Sequence, residues 1–109
     1  MEISYKNNKL KKLCLKRREA DKTLGTDSSR KLRARLADID AASNVSELVA
    51  GRPHPLSGNR KGEFSLDLAR GNRLVFTPEE IPPPQKEDGG TDWTMVDKIV
   101  VVFIGDYHE

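Results

Sequence analysis

The sequence predicts an α+β domain in which two N-terminal helices pack on one side of a mainly antiparallel sheet whose C-terminal strand is central, in the order β-α-α-(short α)-β-β-β. Three observations predict it. Apolar residues recur at helical spacing through the first forty positions, alternate strictly around residues 64–76, and run unbroken over residues 99–104.

Residues 2–5 (Glu-Ile-Ser-Tyr) alternate and give a short opening strand. After Asn7-Asn8, which suit a helix start, Leu10, Leu13 and Cys14 fall at i, i+3, i+4 among Lys and Arg, predicting one basic helix that ends before Gly25. Thr26, Asp27 and Ser28 offer the next N-cap. Leu32, Leu36 and Ile39 then form the buried stripe of a second helix, with Arg30, Lys31, Arg33 and Arg35 on its other faces. Ser46 can cap a further short turn over Glu47-Leu48-Val49-Ala50, closed by Gly51.

The pattern then becomes extended. Phe64-Ser65-Leu66-Asp67-Leu68 alternates, Arg70-Gly71-Asn72 is turn chemistry, and Arg73-Leu74-Val75-Phe76 resumes, which predicts a β-hairpin. Residues 78–95 hold four of the six prolines plus Gly89-Gly90, so they are expected to form an exposed acidic loop. Ile99-Val100-Val101-Val102-Phe103-Ile104 is apolar on both faces, as a strand covered on both sides would be.

The chain has 109 residues, so residues 1–109 are read as a single domain. Its net charge of +2 conceals a division. Residues 1–35 carry 12 basic and 4 acidic side chains, a net of +8, while residues 36–109 carry 7 basic and 13 acidic, a net of −6. A basic helical hairpin of this kind can dock on phosphate by counterion release, and equally can be a solvated face. A single cysteine, Cys14, excludes an internal disulfide framework and fits a reducing compartment, with a small buried hydrophobe as its plain reading. No stretch reaches the roughly 18–20 apolar residues of a membrane span, and no signal peptide is evident, so the expectation is a soluble cytoplasmic protein without a membrane partner.

Glycine-rich phosphate loops, His-x-x-x-His or Cys-pair metal spacings and a nucleophile elbow are all missing from the sequence, and no cofactor or metal is predicted. What remains is a scatter of polar groups. His54 lies between Pro53 and Pro55, Arg60 and Lys61 approach the hairpin, Arg73 opens its second strand, and Asp106-Tyr107-His108 follows the last strand. If that strand is central, its end delivers the tail close to Arg73. Such a group suits cleavage of an RNA phosphodiester, which needs a base for the 2′-hydroxyl, a cation for the phosphoryl oxygens and an acid for the leaving 5′-oxygen. Taken singly, each has a plainer reading: loop residue for His54, solvated edge charge for Arg73, turn former for Asp106, chain-end residue for His108.

Several of these residues stand in a familiar arrangement. Leu36-Ala37-Asp38-Ile39-Asp40-Ala41-Ala42, His54-Pro55-Leu56-x-Gly58-x-Arg60-x-Gly62, Phe64-Ser65-Leu66, Asn72-Arg73-Leu74-Val75-Phe76 and Asp106-Tyr107-His108 together resemble the HigB group (plasmid maintenance killer proteins) of the RelE/ParE toxin superfamily. The resemblance implies a RelE/ParE-like fold and a metal-independent, ribosome-dependent mRNA endoribonuclease that inhibits translation. It also implies a HigA-type helix-turn-helix antitoxin as partner, through which the complex would bind its own operator DNA. By position it implies that His54, Arg73, Asp106, Tyr107 and His108 are the catalytic group: Arg73 on the scissile phosphate, His108 as leading acid or base, Asp106 assisting it, and Tyr107 on the substrate base. Arg60 and Lys61, with Arg30, Arg33 and Arg35 of the helical hairpin, are the expected RNA-binding residues. One departure is Ser57, where some relatives carry Lys. Two other classes therefore stay open: a non-catalytic ParE-like inhibitor of DNA gyrase, and an RNA- or partner-binding module with degenerate catalysis.

Overall fold

The structure is a computed structural model that describes residues 1–107; the expectation for His108 lies outside the described residues. Among the described residues, three helices cover one face of a five-stranded mixed sheet. The strands are β1 (Glu2–Tyr5), β2 (His54–Pro55), β3 (Phe64–Asp67), β4 (Arg73–Pro78) and β5 (Lys98–Gly105), ordered β1-β5-β4-β3-β2. All neighbours are antiparallel except β1, which runs parallel to β5 with Ile3 beside Ile99. The last strand is interior, as expected.

Asn7 caps the first helix, α1 (Asn8–Leu15), its side-chain oxygen accepting the Leu10 N–H at 3.0 Å. The single helix expected up to Gly25 is instead two, because Lys16 is extended (φ −119°, ψ 105°) between α1 and α2 (Arg17–Leu24). The physical reason lies in phase. An unbroken helix would carry Arg17, at i+4 from Leu13, onto the buried face; the break turns it outward, where its side chain is 72% exposed and pairs with Asp21. Gly25, at φ 86°, ends α2 and directly precedes α3 (Thr26–Ala41).

None of the expected cap residues Thr26, Asp27 and Ser28 caps α3, which starts after Gly25 without a side-chain cap, and Ser28 and Ser29 are instead buried in its first turn. The Ser28 hydroxyl donates to the Ala69 carbonyl and accepts from Asn72 Nδ2, both at 2.9 Å, tying α3 to the tip of the β3–β4 hairpin. At the other end of α3 the Met1 ammonium donates to the carbonyls of Ile39, Asp40 and Ala42, at the negative pole of the helix. The short turn expected over residues 47–50 lies earlier, as a 3-10 turn at Val45–Glu47 capped by Asn44. Burial of Val45 decides the shift, since it is fully enclosed while Val49 is exposed.

The core lies between helices and sheet, built on Leu10, Leu32, Ile39, Leu66, Leu74, Phe76, Ile99 and Val101. On β5, Ile99 and Val101 are fully buried, whereas Val100, Val102 and Phe103 on or near the other face are half-buried. That second face is therefore only partly covered. A register shift between Val75 and Phe76 leaves Val102 unpaired, so Phe103 sits opposite Val75 while Val101 sits opposite Phe76. The Pro/Gly loop has internal order: Gln85 bridges Thr91, Asp92 caps a 3-10 turn at Trp93–Met95, and the Trp93 ring lies 4.9 Å from that of Phe64. Its Ile81 and Met95 side chains are exposed. Among the described residues no helix is long and apolar enough to cross a membrane.

Candidate functional site

Cross-strand partners in a sheet share a face. The pairing of His54 with Ser65, Ser65 with Val75 and Val75 with Phe103 therefore forms one row across four strands, on the face away from the helix-packed Leu66, Leu74 and Phe76. A second row, Asp67 with Arg73 and Arg73 with Gly105, lies beside it. The sequence assigned His54 to a stiff loop, but it forms the short edge strand β2. Two residues are too few to show alternation, which is why periodicity missed it.

Above these rows opens a cleft of about 340 Å³ lined by Arg52, His54, Pro55, Leu56, Ser57, Arg73 and Tyr107. His54 Nδ1 stands 2.7 Å from the Arg52 carbonyl oxygen, which can only accept, so Nδ1 carries the hydrogen. Neutral His54 then presents Nε2 as an acceptor. Arg73 Nη1 donates to the Gly71 carbonyl at 3.2 Å and faces Asp67 Oδ1 at 3.6 Å. Its guanidinium also lies 5.7 Å from the centroid of the Tyr107 ring.

Arg60, in the 3-10 turn Gly58–Arg60, pairs with Glu63 at 2.8 Å and stacks over two rings, Phe103 at 4.6 Å and Tyr107 at 4.7 Å. Phe103 and Tyr107 meet edge to face at 5.7 Å. Asp106 lies beside the hairpin tip: a Cβ on Gly71 would come within 3.2 Å of Asp106 Oδ2. The polar residues expected to converge thus do so for His54, Arg60, Arg73 and Tyr107, with Asp106 at the margin. Lys61 is exposed beside them.

The three arginines expected on the helical hairpin do not line this cleft. Arg30 is exposed and 3.8 Å from Asp27, Arg33 donates to Ser29 Oγ at 2.8 Å, and Arg35 donates through Nε to the Asp67 carbonyl at 3.1 Å. Arg35 is therefore a structural support behind the site rather than an unengaged surface cation.

Two residues of the site were not singled out by the sequence. Arg52 is exposed and adopts a left-handed backbone (φ 49°) that few non-glycine residues take. Its Nε donates to Asp67 Oδ2 at 2.9 Å, a bond that raises the Arg52 pKa further, with the Asp67 charge the next cause. Asp67 itself was legible only as a polar position in an alternating strand. The signal that could have found it is the hairpin turn, which sets residue 67 opposite residue 73.

Comparison with solved structures finds the same architecture in bacterial toxins. A YoeB/ParE toxin from Agrobacterium tumefaciens superposes with a TM-score of 0.60 over 99% of this chain and 100% of that one, at 12% sequence identity. This chain has the fold of YoeB/ParE toxins. The YoeB dimer from Staphylococcus aureus matches at TM-score 0.57 and 17% identity, and the YoeB-YefM complex from the same organism at 0.59 and 16%, each over 100% of this chain and 98% of the other. No protein-family model and no curated protein matches the sequence. The YoeB/ParE likeness is thus one of three-dimensional arrangement over the whole chain.

Proposed function

We propose that this protein is the toxin of a type II toxin-antitoxin system, of the HigB kind, and that it cleaves mRNA at the ribosome in the cytoplasm. The observation that carries the reading is the convergence of His54, Arg73 and Tyr107 in one open cleft, with Arg60 at its rim. The whole-chain likeness to YoeB structures, one of them solved as a YoeB-YefM complex, supports a toxin role and an antitoxin partner, for which the sequence resemblance implies the HigA type.

In this reading the substrate 2′-hydroxyl loses its proton to a ring nitrogen of a neutral histidine, and the 2′-oxygen forms a bond to phosphorus as the bond to the 5′-oxygen breaks. The departing oxygen takes a proton from a second acid. His54 Nε2 is placed to accept in the cleft, and His108 is the acid or base that the family resemblance supplies. Arg73 holds the phosphoryl oxygens through its fixed charge and forked donors. Tyr107 offers a ring face for an unstacked base, and Asp106 assists from beside Gly71.

The test is controlled induction in cells with mapping of mRNA 5′ ends. New ends within translated transcripts, lost with His54→Gln or His108→Gln, are expected. Growth arrest with unaltered transcripts would sink the nuclease, and inhibition of supercoiling by purified protein would place the chain with gyrase inhibitors instead.

A further inference from the structure

Asp67 gathers the site from two directions. Its backbone N–H donates to the Gly51 carbonyl at 2.6 Å, and its own carbonyl accepts from Arg35. Gly51 has φ 85°, and a Cβ there would collide with the Arg35 side chain and approach the Asp67 carbonyl at 3.1 Å, so only glycine fits the corner. The corner turns the next residue, Arg52, into its left-handed backbone, and the Asp67 carboxylate then receives the Arg52 side chain on Oδ2. The other oxygen, Oδ1, is buried and has no hydrogen bond among the described residues, with Arg73 Nη1 facing it at 3.6 Å. One carboxylate thus stands between two guanidiniums, engaging one firmly and the other loosely. Among the described residues no acceptor contacts the terminal nitrogens of Arg52.

We propose that Asp67 is a positioning residue that holds Arg52 and Arg73 as a two-armed clamp for the sugar-phosphate backbone of single-stranded RNA, with Arg52 a direct phosphate contact. The proposal rests on the nuclease reading and adds to it a second phosphate arm and the group that aims both. The carboxylate offsets two like charges in one cleft, and because its Oδ1 stands 3.6 Å from Arg73 Nη1, an incoming phosphate can take that guanidinium without breaking a close bond to Asp67.

Two substitutions test it, each checked for folding by circular dichroism. Binding is read with a 2′-O-methyl RNA oligonucleotide, which cannot be cleaved, across a salt titration, and turnover with ribosome-bound mRNA. Arg52→Ala should weaken binding about tenfold and lower the salt slope by about 0.7, the value for one phosphate contact on a single strand. Asp67→Asn removes the competing negative charge while loosening the aim, so binding should tighten and turnover fall about tenfold. A merely structural aspartate would not produce that opposition. An unchanged salt slope in Arg52→Ala, or weaker binding in Asp67→Asn, overturns the clamp while leaving the nuclease reading intact. If Asp67→Asn does not fold, the slope of Arg52→Ala alone decides. Wild-type protein that neither binds nor cleaves RNA ends both readings.

Discussion

The Arg60 guanidinium lies 4.7 Å from the centre of the Tyr107 ring and 4.6 Å from that of Phe103, while its Nη1 pairs with Glu63 at 2.8 Å. A segment that leaves the sheet at Gly105 is thereby anchored by a cation held from the β2–β3 connection. Cation–π contacts contribute roughly 0.5–2 kcal/mol, depending on desolvation. Arg60→Ala is expected to lower the melting temperature by a few degrees and to reduce mRNA cleavage more than the melting shift accounts for, because Tyr107 loses its support. Arg60→Lys, which keeps charge but not the flat guanidinium, should recover only part. Full cleavage in Arg60→Ala would show that Tyr107 is placed without it.

Replacing the acceptor in the cleft should cost more. His54→Gln keeps a side chain of comparable reach without a titrating nitrogen, and loss of a general base typically costs 10²–10⁴-fold. Arg73→Lys keeps the charge but loses the fork, and should fall by roughly 10²-fold or more, as for loss of a donor to a developing oxyanion. Single-turnover cleavage on programmed ribosomes measures both. Equal rates for wild type and His54→Gln would remove His54 from the proton path.

Ser57 lies on the cleft wall beside His54 and is exposed. Ser57→Lys should therefore add a cation on the wall where the proposed reading expects phosphate. The predicted outcome is tighter RNA binding with a salt slope steeper by about 0.7 and faster cleavage. A variant with unaltered slope would show that RNA does not pass this wall. The same titration discriminates the helical cations: Lys12→Glu with Arg18→Glu reverses exposed charges on α1 and α2. Arg35→Glu would instead break the support to Asp67 and confound binding with folding.

Much of the fold was legible because burial imposes period on sequence. The alternation of residues 64–76 marked the hairpin, whose register of Asp67 opposite Arg73 only the structure supplies, and the doubly apolar 99–104 run marked an interior strand. The parallel pairing of β1 with β5 joins residues nearly a chain length apart, and no local pattern encodes it. The helix break at Lys16 was hinted at by the charged residue at position 17 but requires knowing which face is covered. In the candidate site, motif order singled out His54, Arg73 and Tyr107, which line one cleft. Arg52 and Asp67 were not, because the aim of Arg52 depends on an unusual backbone at a glycine corner, and a lone aspartate on a strand reads as solvent-facing.

Burial pushes the Cys14 thiol up to about 12 from 9.0. Burial, and then the nearby Cys14 charge, also raise the Tyr5 phenol. In the unfolded chain the thiol ionises near its ordinary value, whereas in the folded protein it stays neutral to much higher pH. The stability linked to the neutral thiol is therefore fully present below about pH 9 and is lost as pH rises toward about 12. Urea unfolding as the pH is raised through the ordinary thiol value of 9.0 should show a falling midpoint in wild type and a shallower fall in Cys14→Ala, with the Tyr5 contribution remaining. Alkylation by iodoacetamide at pH 8 should be much slower in the folded than in the urea-unfolded protein, since the thiolate is the nucleophile. Rapid alkylation of the folded chain, or identical pH profiles for wild type and Cys14→Ala, would show that the thiol is not held neutral at the junction of α1 and the sheet.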